Sequence, residues 1–187
     1  AAILNAYLPG DYGSEALTEI LFGDVNPSGK LPYTYPRYDG VIEYYDYVNS
    51  ETKTNKTDGL PINPQWTFGH GLSYTTFSYS DLSIKTTYDK KGNDLFEASI
   101  IVKNSGQKEG KEVVQWYITD EYASVAPANK KLKGFEKINL APGEMKRVVF
   151  KFTTKDLRFI GEDNKWTVEP GTFKLSCGNK SASFELK

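Results

Sequence analysis

The chain has 187 residues, 39% hydrophobic, 14% aromatic and 25% charged, the make-up of a globular protein with room for one large domain or one domain plus part of another. Lys and Arg number 23 against 24 Asp and Glu, so a net charge of -1 leaves no basic field for nucleic acid and no acidic tail. A single cysteine, Cys177, excludes an internal disulfide framework and a thiolate metal cluster, and no run of about 18 apolar residues offers a membrane span.

Ala2 to Leu8 is a short apolar run ended by Pro9-Gly10, which predicts a buried strand whose carboxyl end meets a turn. Asp11-Tyr12-Gly13-Ser14 leads into a helical pattern with Ala16, Leu17, Ile20 and Leu21 on one face, Ser14 as cap and Gly23 as stop. Strand, turn and helix make one αβ unit, too small to bury its own faces. The chain opens on Ala1-Ala2-Ile3-Leu4 without a signal-like segment, in what reads as mid-element, so a longer polypeptide with further strands upstream is expected. Helix N-termini attract anions, but neither G-x-G-x-x-G nor a Walker lysine is present, and ordinary turn chemistry is expected at residues 9–14.

Residues 24–32 are turn-rich, with Asn26-Pro27 and Ser28-Gly29, and Tyr33 to Pro36 reads as extended because each residue before a proline is pushed away from helix. From Arg37 to Pro64 the chain is polar and irregular, and its one concentrated feature is Tyr44-Tyr45-Asp46-Tyr47. Those tyrosines suit stacking on a sugar ring, but pinning the loop to its domain is the expectation. The stretch Trp66 to Phe77 places His70 between Gly69 and Gly71, which calls for a sharp turn or a close backbone approach, and its aromatics call for packing. It marks a seam: residues 1–67 form one unit, 68–76 a linker and 77–187 a second unit.

Beyond Phe77 the hydrophobic period becomes two. Strands are predicted near Tyr79–Tyr88, Leu95–Asn104, Glu112–Asp120, Lys131–Leu140, Met145–Thr154, Gly171–Cys177 and Ala182–Leu186. Ala98, Ile100 and Val102 alternate against Ser99 and Lys103, and Val148, Phe150 and Phe152 against Val149 and Lys151. Turn signals separate the strands, as at Lys91-Gly92-Asn93-Asp94 and Ala141-Pro142-Gly143. Seven short strands predict an immunoglobulin-like sandwich, and the missing Cys pair leans towards the fibronectin type III variety. Trp116 and Trp166 are expected in its core or between its sheets.

Candidate chemistry is sparse. His70 is the only histidine and no nucleophile motif accompanies it, so a structural role is expected. Cys177 ends a predicted strand and reads as a buried, inert thiol. Glycosidic cleavage uses paired carboxylates, and Glu15, Asp24, Glu43, Asp46 and Glu51 are available. Glu15 suits a helix first turn, Asp24 a turn and the others a solvated loop, so spacing nominates no pair. No catalytic residue, metal ligand or cofactor is assigned, and substrate-binding residues stay unknown. Sequons at Asn55 and Asn179 bear on the argument only in a eukaryotic secretory context.

The order of these pieces resembles the C-terminal part of glycoside hydrolase family 3. The resemblance is carried by Leu8-Pro9-Gly10 with Gly13 and Ala16, then Leu21-Phe22-Gly23-Asp24, then residues 26–32 and then residues 68–77. The sandwich continues it at residues 102–106, 110–115, 131–137 and 140–144, so it covers essentially the whole chain. It implies a parent with a (β/α)8-type barrel, an α/β sandwich and a fibronectin III-like domain, of which this chain holds the end of the second and all of the third. It also implies a retaining β-glucosidase, periplasmic or extracellular, whose nucleophile and acid/base lie upstream. The partners expected are those upstream domains and a β-linked oligosaccharide, with no nucleic acid. Where many members read Gln-Glu-Gly-Gly, this chain has Asp11-Tyr12-Gly13-Ser14, which weakens any role for Asp11. A carbohydrate-binding or adhesion module, or a β-xylosidase or N-acetylglucosaminidase specificity, are the competing readings.

Overall fold

The computed structural model describes residues 2–41, 44–48, 64–88 and 94–187. Seven strands build two antiparallel sheets. Phe77–Tyr88 (β1), Asp94–Asn104 (β2) and Met145–Thr153 (β5) form one, in the order β1-β2-β5. Gly110–Asp120 (β3), Lys131–Leu140 (β4), Gly171–Cys177 (β8) and Lys180–Leu186 (β9) form the other, in the order β4-β3-β8-β9. Because β4 pairs with β3 rather than with the β1-β2-β5 sheet, the order is that of a fibronectin type III-like sandwich and not of an antibody constant domain.

The alternation read from sequence is what turns these segments into faces. Phe96, Ala98, Ile100 and Val102 of β2 are wholly buried, while their odd-numbered neighbours look outward. Aromatic rings join the two sheets: Trp116 of β3 stacks on Phe150 of β5 at 5.6 Å, and Phe96 of β2 meets Phe184 of β9 at 5.0 Å. Each such side chain withdrawn from water contributes about 2–3 kcal/mol.

Trp116 lies in this core as expected, but Trp166 does not. It sits in a hairpin of two-residue strands, Phe159–Ile160 (β6) and Trp166–Thr167 (β7), and is 65% exposed. Strands this short carry no periodicity for a sequence to display.

The helix α1 spans Gly13–Phe22. Gly23 ends it in the left-handed conformation (φ +85°), its N–H reaching the carbonyls of Glu19 and Ile20. Ser14 does not cap it: the cap position falls on Tyr12, with no side-chain bond, and the Ser14 carbonyl accepts from Thr18 Oγ1 instead. Leu17 and Ile20 are half-buried, whereas Ala16 and Leu21 of the predicted apolar face, and Phe22 beside it, stay exposed. Residues 2–8 form no strand and lie mostly exposed, because among the described residues none pairs with them. The extended reading of residues 33–36 holds in part, with Tyr35 bridging antiparallel to Trp66. Glu43, Glu51, Asn55 and the turn at Lys91–Asn93 lie outside the described residues.

Candidate functional site

The region between α1 and the sandwich concentrates the polar contacts. It begins with backbone pairing across the seam: Leu31 N–H donates to the His70 carbonyl at 2.8 Å and Gly69 N–H to the Leu31 carbonyl at 2.8 Å. The seam therefore lies alongside the turn-rich stretch 24–32. Gly69 turns at φ +81°, and a Cβ there would run into the side-chain ends of Gln115 and Tyr117 on β3. Gln115 Nε2 uses the opening to donate to the Gly69 carbonyl at 3.0 Å, while Tyr117 donates its hydroxyl proton to Gln115 Oε1. Gly71 has no room for a Cβ either, because the Gly29 carbonyl lies against it.

Six side chains fasten this seam: Lys30, Glu112, Tyr79, Asn26, Asn104 and Tyr74. Lys30 Nζ lies 3.0 Å from Glu112 Oε2 on β3, and Tyr79 of β1 donates its hydroxyl to Glu112 Oε1 at 2.8 Å. Burial, then the adjacent Glu112 charge, pushes the Tyr79 hydroxyl well above its ordinary range. Asn26 accepts from Ser73 Oγ and the Tyr74 amide and donates Nδ2 to the Glu109 carbonyl. Asn104, wholly buried, accepts from Thr75 Oγ1 at 2.7 Å and the Gly106 amide, and donates to the carbonyls of Lys108 and Leu140. Every hydrogen-bonding position of that amide is used. Tyr74 completes the clamp by donating to the Ile20 carbonyl at the end of α1.

His70 is half-buried and stacks on Trp66 at 6.3 Å, within a row of rings that runs from Tyr7 through Tyr33 and Tyr35. Among the described residues no side chain able to act as a nucleophile hydrogen-bonds it, and its place is in the turn. Two of the three loop tyrosines pin as expected: Tyr45 packs on Phe68 at 4.8 Å and Tyr47 accepts from Asn129 Nδ2 at 3.0 Å, while Tyr44 stays 65% exposed. Cys177 is fully buried and its thiol is pushed up to about 12 by burial and by Glu112. It is inert in this state.

Of the candidate carboxylates, Glu15, Asp24, Asp46 and the weaker Asp11 fall among the described residues. Glu15 occupies the first turn of α1, Asp24 and Asp11 are exposed, and Asp46 is half-buried. None of these four shares a hydrogen bond or ion pair with another. Among the described residues no group of three or more His, Cys, Asp and Glu side chains could hold a metal ion. The sequence concealed the residues that matter here. Asn26-Pro27 reads as a turn and Asn104 as the end of a predicted strand, and nothing local reveals that the two Asn side chains reach partners tens of residues away.

Two family models match the chain: one described as glycosyl hydrolase family 3 C-terminal domain over residues 1–74, and one as fibronectin type III-like domain over residues 112–181. Strands β1 and β2 fall between the two matches, yet they complete the same sandwich. A periplasmic beta-glucosidase of Salmonella typhimurium is 41% identical over 99% of this chain and 26% of its own length. A putative beta-xylosidase of Formosa agariphila is 41% identical over all of this chain and 25% of its own. A solved β-glucosidase from Erythrobacter marinus superposes with a TM-score of 0.85 at 37% identity, over 97% of this chain and 24% of that one. The chain thus spans about a quarter of the length of the relatives it matches. It belongs to glycosyl hydrolase family 3, and what it holds of that family is the C-terminal domain and the fibronectin type III-like domain behind it.

Proposed function

We propose that this chain is the C-terminal structural part of a β-glucosidase that releases terminal β-D-glucosyl residues from oligosaccharides, and that it is inactive by itself. The observation that carries this reading is the end-to-end similarity to β-glucosidases, of which the chain covers only about a quarter. The chain's part is to hold the last turns of the α/β layer against the sandwich through Lys30, Asn26 and Tyr74. We place the division at residues 1–67, 68–76 and 77–187, which the start of β1 at Phe77 supports. A periplasmic or extracellular location follows the naming of the Salmonella relative.

Two xylosidases of Formosa agariphila at 41% and 40% identity favour a second reading, a parent with β-xylosidase specificity. A free-standing adhesion module fits poorly, since the ion pair and amide network tie the first segment into the sandwich. The test assays the purified chain, and the same chain joined to the preceding domains of its parent, on aryl β-glucosides and β-xylosides. No turnover by the chain and turnover by the joined protein are expected, and the ratio of kcat/KM on the two substrates decides the sugar. Turnover by the chain alone would overturn the proposal.

A further inference from the structure

A cleft of about 260 Å³ opens between the β3–β4 connection, the segment following β5 and the β6–β7 hairpin. Phe173 contributes to its apolar floor. Its charged lining is unbalanced: Lys131, Lys133 and Arg158 face it against the single carboxylate of Asp120. None of the three cations takes part in an ion pair among the described residues. Lys133 is half-buried, and burial first, then the neighbouring Lys131 charge, holds its ammonium below the ordinary range, with Asp156 pulling the other way. The Asp120 carboxyl is raised, chiefly by burial and further by Glu169, against a hydrogen bond from the Tyr122 amide. Among the residues that line the cleft, three cations thus stand against one carboxylate.

The second observation is Trp166. An indole 65% exposed beside a polar cleft is unusual for so large an apolar surface, and this one is not loose. Its strand is paired to β6, and the Arg158 guanidinium lies 5.7 Å from the ring. An oriented, open aromatic face stacks well on the C–H face of a pyranose ring.

We propose that this cleft binds a carboxylated sugar, a hexuronate unit of an oligosaccharide, with its carboxylate at Lys131 and Lys133 and its ring against Trp166. The carboxylate is argued from the cations alone, whereas the choice of a sugar rests in part on the glycosidase reading. Binding to this chain and turnover by the joined protein are separate measurements, so either reading can fail without the other.

The experiment is calorimetric titration of the full chain with a glucuronate-bearing xylo-oligosaccharide, with the same oligosaccharide lacking the uronate, and with inorganic phosphate. Saturable binding of the acidic oligosaccharide alone is expected, weakening as salt is raised. Trp166→Ala and Lys133→Met should each weaken it by roughly tenfold, with the thermal midpoint of the exposed Trp166→Ala variant little changed. Equal binding of the neutral oligosaccharide would overturn the role of the cations, and equal binding of phosphate would overturn the role of the sugar. No binding, or binding untouched by both substitutions, would overturn the site.

Discussion

Lys30 Nζ stands 3.0 Å from Glu112 Oε2 with only 16% and 11% of the two side chains exposed, so the charges meet largely out of water. Removing one partner leaves the other charge buried and uncompensated, which costs about 3 kcal/mol. Lys30→Met is therefore expected to lower the urea midpoint markedly. The double variant Lys30→Met with Glu112→Leu should recover much of the loss, because no charge is then stranded. If the double variant were as unstable as the sum of the singles, the pair would not be the source of the effect.

Gly69 and Gly143 separate backbone strain from close approach. Both have positive φ, +81° and +79°, but a Cβ would meet side-chain oxygens of β3 only at Gly69 and open space at Gly143. Alanine at Gly143 should cost about 1 kcal/mol from the left-handed conformation alone. Alanine at Gly69 should cost that amount plus the displaced Gln115 bond, about 2–3 kcal/mol in total. Equal losses in chemical denaturation would show that the packing of Gly69 on β3 contributes nothing.

Asn104 is the buried polar group with most at stake. Asn104→Ala strands the Thr75 hydroxyl and the Leu140 carbonyl in buried positions, and takes the partner from the Gly106 amide and the Lys108 carbonyl at the half-buried edge. A loss of about 3 kcal/mol or more is expected. Faster hydrogen exchange at the Gly106 amide should accompany it, and an unchanged exchange rate would contradict the network.

Stability should decline in alkali. The Cys177 thiol moves from an ordinary 9.0 to about 12 through burial and then Glu112, and the Tyr117 hydroxyl from 10.0 to about 12 through burial and then Tyr45. Tyr79 moves in the same direction. In each case the fold favours the protonated form, so above about pH 9 the unfolded chain releases protons that the folded chain keeps, and stability is lost as pH rises towards 12. Denaturant midpoints measured from about pH 8 to about pH 11 should fall steadily. Cys177→Ala should flatten the early part of that fall, and an identical slope would exclude the thiol as a contributor.

The tryptophans show how far sequence reaches. Trp116 and Trp166 both read as core or inter-sheet residues, yet Trp116→Ala should cost about 4 kcal/mol and Trp166→Ala less than about 0.5 kcal/mol. The difference was legible in principle only for Trp116, which stands in an eleven-residue strand with clear alternation. Trp166 stands in a two-residue strand, where no period exists. β4 and β8 begin and end where the alternation and turn residues place them. The apolar run at residues 2–8 misled because an apolar run becomes a strand only beside a partner with free backbone groups. The site was harder still. Local chemistry exposed Gly69 and Gly71, since a glycine marks a turn or a close backbone approach whatever the partner, but not Glu112 or Asn26, whose roles depend on chain that returns from far along the sequence.

Glu112 sits on an interior strand of the four-stranded sheet, and the groups it holds come from residues 82 and 33 positions away. A joint closed at such a point passes torque onward instead of absorbing it. Any twist applied to α1 and the turn behind it arrives at the β3–β4 pair, where Glu112 lies opposite Ile138. The sandwich then behaves as a fixed strut, setting the angle at which the helix is presented to its surroundings.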